Sequence, residues 1–525
     1  MNRREFLAAA SVSLAMPAVA RGQSSQVLTV IPQADLAVLD PVWTTSYQTR
    51  DHGFLVFDTL FGVDASYRAQ SQMLEGSTSE DDGRLWRLTL RPDLSFHDGS
   101  KVLARDCVAS IKRWGARDSY GQALIAACDE ILAADDKTIV FRMKRPFPLL
   151  PDALGKTPPS ICAIMPERLA STDPHQQITE MVGSGPYRYK ADERVPGSRV
   201  VYERFAGYIP RHAGAPSGTA GPKVAHFERV EWRIIPDGGT VAAALQRGEV
   251  DWWLTPASDL LPVLRRDGKL TVRIADPTGF IATMRFNHLN PPFDNPAIRR
   301  AMLGAVAQPD YMIGMVGTDS SMWRDRCGFF CPGTPMASDA GLAALTGPRD
   351  VAKARGELEA AGYKGERIVL LGPTDIASAK ALADITDDMM RKLGLNVDYQ
   401  TMEWASLVQR RTKKEPVDQG GWSVYHTSWS GTDQMNPVGH VFLRGNGKDA
   451  TVGWPNSRRL EELRDAWLAA PDETAQKAIA AELQLQAIQD VPYIPLGQYF
   501  VPTVHQANLT GALDGNPVFW NVRRS

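Results

Sequence analysis

Residues Asp82–Trp114 carry the clearest fold signal of this chain, in the sequence DGRLWRLTLRPDLSFHDGSKVLARDCVASIKRW. Its first part alternates apolar and polar side chains, the period-two pattern of a half-buried strand. The apolar positions of that strand are Trp86, Leu88 and Leu90. Residues typical of turns follow, and apolar residues then return at helical spacing. The helical positions are Cys107, Ile111 and Trp114. The stretch therefore predicts a strand, a turn and a helix, in that order.

This strand–turn–helix order resembles a long segment of the extracytoplasmic solute-binding proteins of family 5, the peptide- and nickel-type receptors of bacterial ABC importers. Further segments resemble landmarks of the same family in the expected order. They are Leu39–Pro41, Val182–Tyr187, Ile234–Trp253, Met284–Asn287, Pro291–Asn295 and Val491–Leu496. One position departs from the family, because Leu103 stands where a hydroxyl residue usually completes a capping box. Only Asp106 remains near the helix start, where it is favourable through the helix dipole.

The resemblance implies an α/β, two-lobed periplasmic binding protein fold, of class II type and in the large form with an extra subdomain. We expect an export signal peptide at 1–20, a discontinuous lobe I at 21–61, 182–277 and 491–525, a subdomain of lobe I at 62–181, and lobe II at 278–490. The chain is expected to cross between lobes around 276–284.

In lobe II, strand patterns at 367–371 and 395–401 flank a helical pattern, which predicts a parallel pair of strands with a right-handed crossover.

Composition narrows the class of protein. The 525 residues exceed what one core accommodates, so two or three domains are expected. With 43% hydrophobic and 22% charged residues, neither disorder nor a membrane protein is favoured. The net charge of −2 gives no reason to expect nucleic acid as a partner, and we expect a monomer.

The N-terminus reads as an export signal. Arg3 and Arg4 precede Phe6 and Leu7, which resembles the twin-arginine motif, and an apolar stretch with small residues up to Ala20 follows. An ordinary Sec signal is the alternative, since its first region is also basic. Either signal predicts a periplasmic protein.

The chain has five cysteines, an odd number for an oxidising compartment. Cys327 and Cys331 are close enough in sequence to close a small disulfide loop, and two free thiols are the alternative. Their spacing is not that of a redox motif, so catalytic chemistry is not favoured.

Sequence signatures of enzymes are missing. The chain has no H-E-x-x-H, Walker A, G-x-G-x-x-G after a strand, or G-x-S-x-G motif. His426 and His440 are fourteen residues apart and meet only if the fold brings them together. We therefore predict no catalytic residue, no cofactor and no metal site, and a secreted hydrolase stays a rival class.

A binding cleft instead requires aromatic surfaces and a few convergent polar groups. The segment Gly420–Phe442 supplies both, and in peptide-binding members of the family this region holds an acidic residue that pairs with the ligand's α-ammonium. Asp433 is the nearest carboxylate, although Asn436 stands where many peptide receptors have an acidic residue. Trp422 and Trp429 are expected on opposite sides of one strand, so that one of them belongs to the core. The predicted ligand-binding residues are Thr45, Tyr47, Arg285, Trp404, Trp422, His426, Trp429, Asp433 and Asn436.

The expected function is that of a periplasmic receptor for a di- or oligopeptide or a similar small polar solute. Its expected partner is an inner-membrane ABC permease with cytoplasmic ATPase subunits. Closure of the lobes around the ligand would be the signal that the permease recognises. A receptor for nickel or a metal chelate is the alternative within the same family.

Overall fold

Strands and helices alternate through the part of the chain that the computed structural model describes, residues 26–157 and 160–525. The predicted signal and its cleavage site lie outside the described residues. The strands are β1 (Val27–Ile31), β2 (Phe61–Val63), β3 (Ala69–Ser71), β4 (Leu74–Glu80), β5 (Leu85–Leu90), β6 (Cys128–Ala133), β7 (Thr138–Met143), β8 (Tyr187–Tyr189), β9 (Arg199–Arg204), β10 (Arg229–Arg233), β11 (Trp252–Trp253), β12 (Leu270–Ile274), β13 (Phe280–Phe286), β14 (Trp323–Arg324), β15 (Ile368–Pro373), β16 (Val397–Met402), β17 (Val424–Ser430), β18 (Ile494–Tyr499), β19 (Pro502–Gln506), β20 (Leu509–Thr510) and β21 (Arg523–Arg524).

The α-helices pack against these sheets or against each other. They are α1 (Tyr47–Val56), α2 (Ala104–Gly115), α3 (Ser119–Ala127), α4 (Leu150–Gly155), α5 (Glu167–Ala170), α6 (Gly238–Arg247), α7 (Leu261–Leu264), α8 (Pro296–Ala305), α9 (Gln308–Val316), α10 (Ala343–Thr346), α11 (Val351–Ala360), α12 (Ala377–Lys392), α13 (Trp404–Arg410), α14 (Arg458–Leu468) and α15 (Glu473–Asp490). Local sequence explains several of their ends. Asp237 caps the start of α6, and Gly248 ends it in the left-handed conformation that glycine tolerates best.

The stretch that decided the prediction forms the expected elements. β5 buries Trp86, Leu88 and Leu90 on one side, within a four-stranded sheet in the order β4-β5-β7-β6. α2 follows it. The Asp106 carboxylate accepts hydrogen bonds from the backbone N–H of Leu103 and of Glu167, both at 2.8 Å. Asp106 therefore supplies the half of a capping box that a carboxylate can make, the bond to the N-cap backbone N–H.

Two larger sheets form the two lobes. The sheet of lobe I has the order β12-β19-β11-β1-β10-β9-β8, in which β1 is parallel to β10 and β11. The sheet of lobe II has the order β14-β18-β13-β17-β15-β16, and β15 and β16 are parallel, as the sequence predicted.

The expected boundary at residue 491 is wrong. β18 pairs antiparallel with β13, so Ile494–Tyr499 belongs to the sheet of lobe II. The reason is that this apolar strand is almost wholly buried, which suits a strand inside the second sheet better than a connection.

Two short connections join the lobes and lie side by side. Residues 275–279 lead from β12 to β13, and residues 500–501 lead from β18 to β19. Phe280 pairs with Tyr499 at this point, and their rings stack with centroids 5.6 Å apart. Gly279 has φ +51°, and a Cβ there would lie 2.3 Å from the carbonyl oxygen of Tyr499. The chain thus passes from one sheet to the other at 275–279, and a glycine is required where the two connections approach most closely.

The subdomain also packs against lobe II. One buried apolar cluster contains Phe147 and Leu150 from the subdomain side together with Phe329, Val438 and Trp467 from lobe II. The lobes are thus in contact along a seam, which is the arrangement of a closed conformation.

All five cysteines are buried free thiols. Cys327 and Cys331 lie in one small apolar cluster with Ile281, and no disulfide joins them. Among the described residues, no helix is both long and apolar enough to cross a bilayer.

Candidate ligand-binding site

The start of α1 presents three functional side chains to the seam between the lobes. Tyr47, Arg50 and Asp51 are spaced by three and four residues, which places them on one face of a helix. They line a cavity of about 90 Å³ together with Trp252 of lobe I and Phe280 of the hinge. We call this space the hinge cavity.

Tyr47 joins the two lobes by hydrogen bonds. Its hydroxyl donates to Oδ2 of Asp433 at 2.7 Å and accepts from the backbone N–H of Ser430 at 2.9 Å. Its ring also meets that of Phe280 edge-on, with centroids 6.0 Å apart. A residue of lobe I is therefore hydrogen-bonded to two groups of lobe II across the seam.

Asp433 is the buried carboxylate of this contact. Its residue is 2% exposed, and its Oδ1 atom has no hydrogen-bond partner among the described residues. Burial raises the pKa of Asp433 to about 6, although the hydrogen bond from Tyr47 and the positive charges of Lys156 and Arg50 oppose the rise. Asp433 itself does not line the hinge cavity, whereas its hydrogen-bond partner Tyr47 does. A positively charged donor that met the free oxygen would stabilise the ionised form.

A buried ion pair lies on the floor of the hinge cavity. Nε and Nη2 of Arg50 donate to Oδ1 of Asp51 at 2.9 and 2.7 Å. Burial raises the pKa of Asp51 to about 6 in spite of this partner. Asp276 also lines the cavity, where burial raises its pKa while hydrogen bonds from Thr278 oppose the rise. With one arginine and two carboxylates, the cavity lining is acidic on balance.

Three of the predicted ligand-binding residues lie in the interior of lobe II, so the prediction is wrong for them. Trp422 is fully buried, and its indole N–H donates to the carbonyl of Lys413 at 3.1 Å. His426 is bonded through Nε2 to the Thr386 hydroxyl at 2.8 Å, and burial lowers its pKa to about 3. Arg285 is 0% exposed.

The physical reason for the position of Arg285 lies in its contacts. The guanidinium donates to the carbonyl of Val452 at 2.7 Å and lies 4.2 Å from the ring centroid of Phe442. Backbone carbonyls and an aromatic face compensate the burial of its charge, and burial lowers its pKa. Arg285 therefore braces lobe II and is not available to a ligand carboxylate.

The remaining predicted residues, Thr45, Trp404, Trp429 and Asn436, lie closer to the surface. Trp429 is half-buried with its ring 4.8 Å from that of Phe442, so of the two tryptophans it is the one nearer the seam. Thr45 is exposed and Trp404 half-buried, and neither lines the hinge cavity. The Asn436 side chain accepts hydrogen bonds from the backbone N–H groups of Val438 and Gly439, so it shapes its own turn.

Sequence reasoning missed several residues that line the hinge cavity. They are Arg50, Asp51, Trp252, Asp276 and Phe280. The sequence did contain a pattern that points to Arg50 and Asp51, since both follow Tyr47 at helical spacing. No such signal marked Trp252, because it reaches the cavity only through the pairing of β11 with β1.

The described residues contain no group of three or more His, Cys, Asp or Glu side chains that could hold a metal ion. His440 is bonded through Nε2 to the Tyr493 hydroxyl at 2.7 Å and, like His426, is buried, with its pKa lowered to about 3. Neither a histidine nor a cysteine is among the described residues that line the hinge cavity.

Comparison with known proteins gives the same fold. The fold is similar to that of a Helicobacter pylori periplasmic binding protein solved with the peptide STSA, with TM-score 0.78, 18% identity and coverage of 95% of this chain and 98% of that one. A binding protein from A. tumefaciens R10, solved with agropinic acid, gives TM-score 0.77 at 18% identity over 95% of this chain and 99% of that one. These likenesses confirm the two-lobed α/β fold of periplasmic binding proteins.

Sequence comparison identifies the family. A probable peptide ABC transporter periplasmic-binding protein of Sinorhizobium fredii is 34% identical over the full length of both chains. A glutathione-binding protein of Pectobacterium atrosepticum is 24% identical over 97% of this chain and 95% of its own. The family model described as bacterial extracellular solute-binding proteins, family 5 Middle, matches residues 68–449, most of the chain. The chain therefore belongs to the bacterial extracellular solute-binding proteins of family 5.

Proposed function

We propose that this protein is the periplasmic receptor of an ABC importer for peptides, which it captures by closing its lobes and delivers to an inner-membrane permease. One observation carries the proposal. Tyr47 of lobe I is hydrogen-bonded to Asp433 and Ser430 of lobe II, next to a cavity beside the hinge. A ligand that binds at this place contacts both lobes at once and so favours the closed state, which is what transport requires.

The chemistry of the site suits a peptide with a free amino end. Asp433 offers a buried carboxylate oxygen without a partner, and an α-ammonium group would supply both the hydrogen bond and the opposite charge. Tyr47, Trp252 and Phe280 supply aromatic surfaces for apolar parts of the ligand. The name of the Sinorhizobium fredii relative, a probable peptide transporter component, agrees with this assignment.

The proposed mechanism is binding without covalent chemistry. In the part of the seam that the structure describes, the Ser430 hydroxyl is hydrogen-bonded to that of Thr432 at 2.8 Å, and no histidine lines the hinge cavity to activate it. We therefore favour a receptor over a secreted hydrolase. The buried positions of His426 and His440 likewise give no support to a nickel site. Export by a twin-arginine signal and a monomeric state belong to the same proposal.

A ligand screen on purified protein, unfolded and refolded to release any retained ligand, tests the function. The panel contains di- to pentapeptides, glutathione, agropinic acid and nickel–histidine, with the melting temperature as readout. We expect certain peptides to raise the melting temperature, with about 2.7 kcal/mol of added stability at a hundredfold excess over Kd. Stabilisation by none of the peptides, or turnover of any ligand, would refute the proposal.

The role of Asp433 is tested with a matched pair of ligands and a matched pair of variants. Asp433→Asn should weaken binding of a free-amino peptide by about tenfold, the value of a charge-assisted hydrogen bond, and leave the N-acetylated peptide unaffected. Asp135→Asn, at an exposed loop of the subdomain, is the control and should bind both peptides like the wild type. Equal losses for both peptides in Asp433→Asn would show that Asp433 does not contact the amino end.

A further inference from the structure

A second opening lies on the seam, away from the hinge. We call it the outer groove. It has a volume of about 690 Å³ and separates the subdomain side from lobe II. Its lining includes Tyr67, Tyr120, Asp152, Met435, Trp467 and Glu473.

The outer groove continues the hinge cavity. Between them lies a small cavity of about 60 Å³. It shares Asp276 with the hinge cavity, and Tyr67 and Met435 with the outer groove. The three spaces follow one another along the seam, so an extended ligand held at the hinge end would point its far end toward the outer groove.

The charges of the outer groove are unequal. Arg68 is the one basic residue in the described lining, and it lies 3.7 Å from Glu473. The Asp64 carboxylate is hydrogen-bonded within its own loop, where it accepts hydrogen bonds from the backbone N–H groups of Ser66 and Arg68. Asp152 has no lysine or arginine partner among the described residues, and burial raises its pKa to about 6, although a backbone hydrogen bond in the first turn of α4 opposes the rise. The outer groove therefore has one carboxylate that no basic side chain of the described residues compensates.

A second, independent observation points to a ligand at the same place. Tyr120 is 2% exposed, and its hydroxyl is buried with no hydrogen-bond partner in the described chain. A buried hydroxyl without a partner is costly, and a polar group entering the outer groove would remove that cost. Met435 and Trp467 add apolar and aromatic surface beside it.

We propose that the outer groove binds a cationic side chain of the ligand, with its ammonium or guanidinium group opposite Asp152. Lysine and arginine carry their charge on a flexible apolar stem, and that stem suits the surface formed by Met435 and Trp467. The inference rests on the proposed function and narrows it. The preferred peptides have a basic residue beyond their first position.

The test compares tetra-alanine peptides that carry lysine at position 2, 3 or 4 with the same peptides carrying norleucine, which has a stem of similar length and no charge. Isothermal titration calorimetry of the full protein gives the affinities. For at least one position we expect the lysine peptide to bind about tenfold more tightly. Asp152→Asn should abolish this preference while leaving the norleucine affinity unchanged, and Asp135→Asn should retain it.

The outcomes separate the inference from the proposed function. If lysine and norleucine peptides bind equally well to the wild type, or if Asp152→Asn keeps the preference, the inference is overturned and the peptide receptor stands. If no peptide of either set binds, the proposed function fails as well. A free diamine is the other source of the same chemistry, and binding of cadaverine in place of the peptides would overturn a peptide as the occupant. Tyr120→Phe is a second variant. It should keep the melting temperature and weaken the lysine peptide several-fold, and an unchanged affinity would contradict a ligand contact of its hydroxyl.

Discussion

Replacing Tyr47 by phenylalanine tests whether a hydrogen-bonded contact holds the lobes closed. The change removes one hydroxyl and keeps the ring that meets Phe280. Two interlobe hydrogen bonds disappear, those with Asp433 at 2.7 Å and Ser430 at 2.9 Å. Net values are about 1.5–3 kcal/mol for a hydrogen bond to a charged group and about 0.5–1.5 kcal/mol for a neutral one. Because the Tyr47 residue is half-buried, we take the lower end of each range, which gives about 2 kcal/mol for the two hydrogen bonds together. The ratio of closed to open molecules should then fall about thirtyfold.

The assay is a distance measurement between the lobes. Spin labels at Asp192→Cys in lobe I and Lys392→Cys in lobe II, both exposed, would report the interlobe distance by double electron–electron resonance. The five native cysteines are buried and should not take up label. We expect Tyr47→Phe to shift the population toward longer distances and to weaken ligand binding in the same proportion.

Tyr208→Phe is the matched control for this change. The Tyr208 hydroxyl donates to Oδ2 of Asp58 at 3.0 Å, so it makes the same tyrosine–aspartate bond, but within lobe I. Its loss should lower the free energy of unfolding and leave the interlobe distances unchanged. If Tyr47→Phe gave the distances of the wild type, or if both variants gave the same shift, the reasoning about the interlobe contact would be refuted.

Three further predictions concern the hinge, the core of lobe II and the pH dependence of binding. Gly279→Ala should lower the free energy of unfolding by about 2–4 kcal/mol, because it places alanine in the left-handed conformation and in a clash with Tyr499. Gly197→Ala is the control: it has φ +72° but open space around it, so it should cost only about 1–2 kcal/mol. Equal losses of stability in urea denaturation would argue against the clash. Trp422→Ala should lower the free energy of unfolding, measured by calorimetry, by about 3–5 kcal/mol, while the folded fraction keeps its ligand affinity. A large loss of ligand affinity would instead place this tryptophan in the binding site. The affinity for a free-amino peptide should fall as the pH drops through about 6, since Asp433 then takes up a proton and loses the charge that pairs with the ligand. Asp433→Asn should flatten that profile in titrations between pH 7.5 and 5, and an unchanged profile would assign the dependence to another group.

Much of the fold was predictable because its signals are local. The alternation in β5, the helical spacing in α2 and the glycine that ends α6 each depend on residues a few positions apart. The parallel pair β15–β16 followed from the order of a strand, a helix and a strand. The predicted boundary at 491 was wrong because the same short apolar sequence suits either a connection between lobes or a buried strand. Only the pairing of β18 with β13 distinguishes the two.

The candidate site was only partly predictable. Tyr47 and Asp433 were both named from the sequence, but their bond joins residues 386 positions apart, and no local pattern announces it. Trp422 and His426 were attractive because aromatic and imidazole groups suit a cleft. The packing of β17 and of the residues just before it places both in the interior of lobe II instead.

From the sequence alone, the order of strands and helices follows from short-range backbone preferences and from the spacing of apolar residues. The family, and with it two lobes joined by a hinge, was implied by the resemblance of the sequence landmarks to those of the family. Only the tertiary structure decided which polar groups face the seam, that Arg285 is enclosed in lobe II, and that Arg50 and Asp51 line the cavity beside Tyr47. The reason is that each of these outcomes depends on how two separately folded sheets are brought together by two short connections. That geometry is set by packing between residues far apart in the chain.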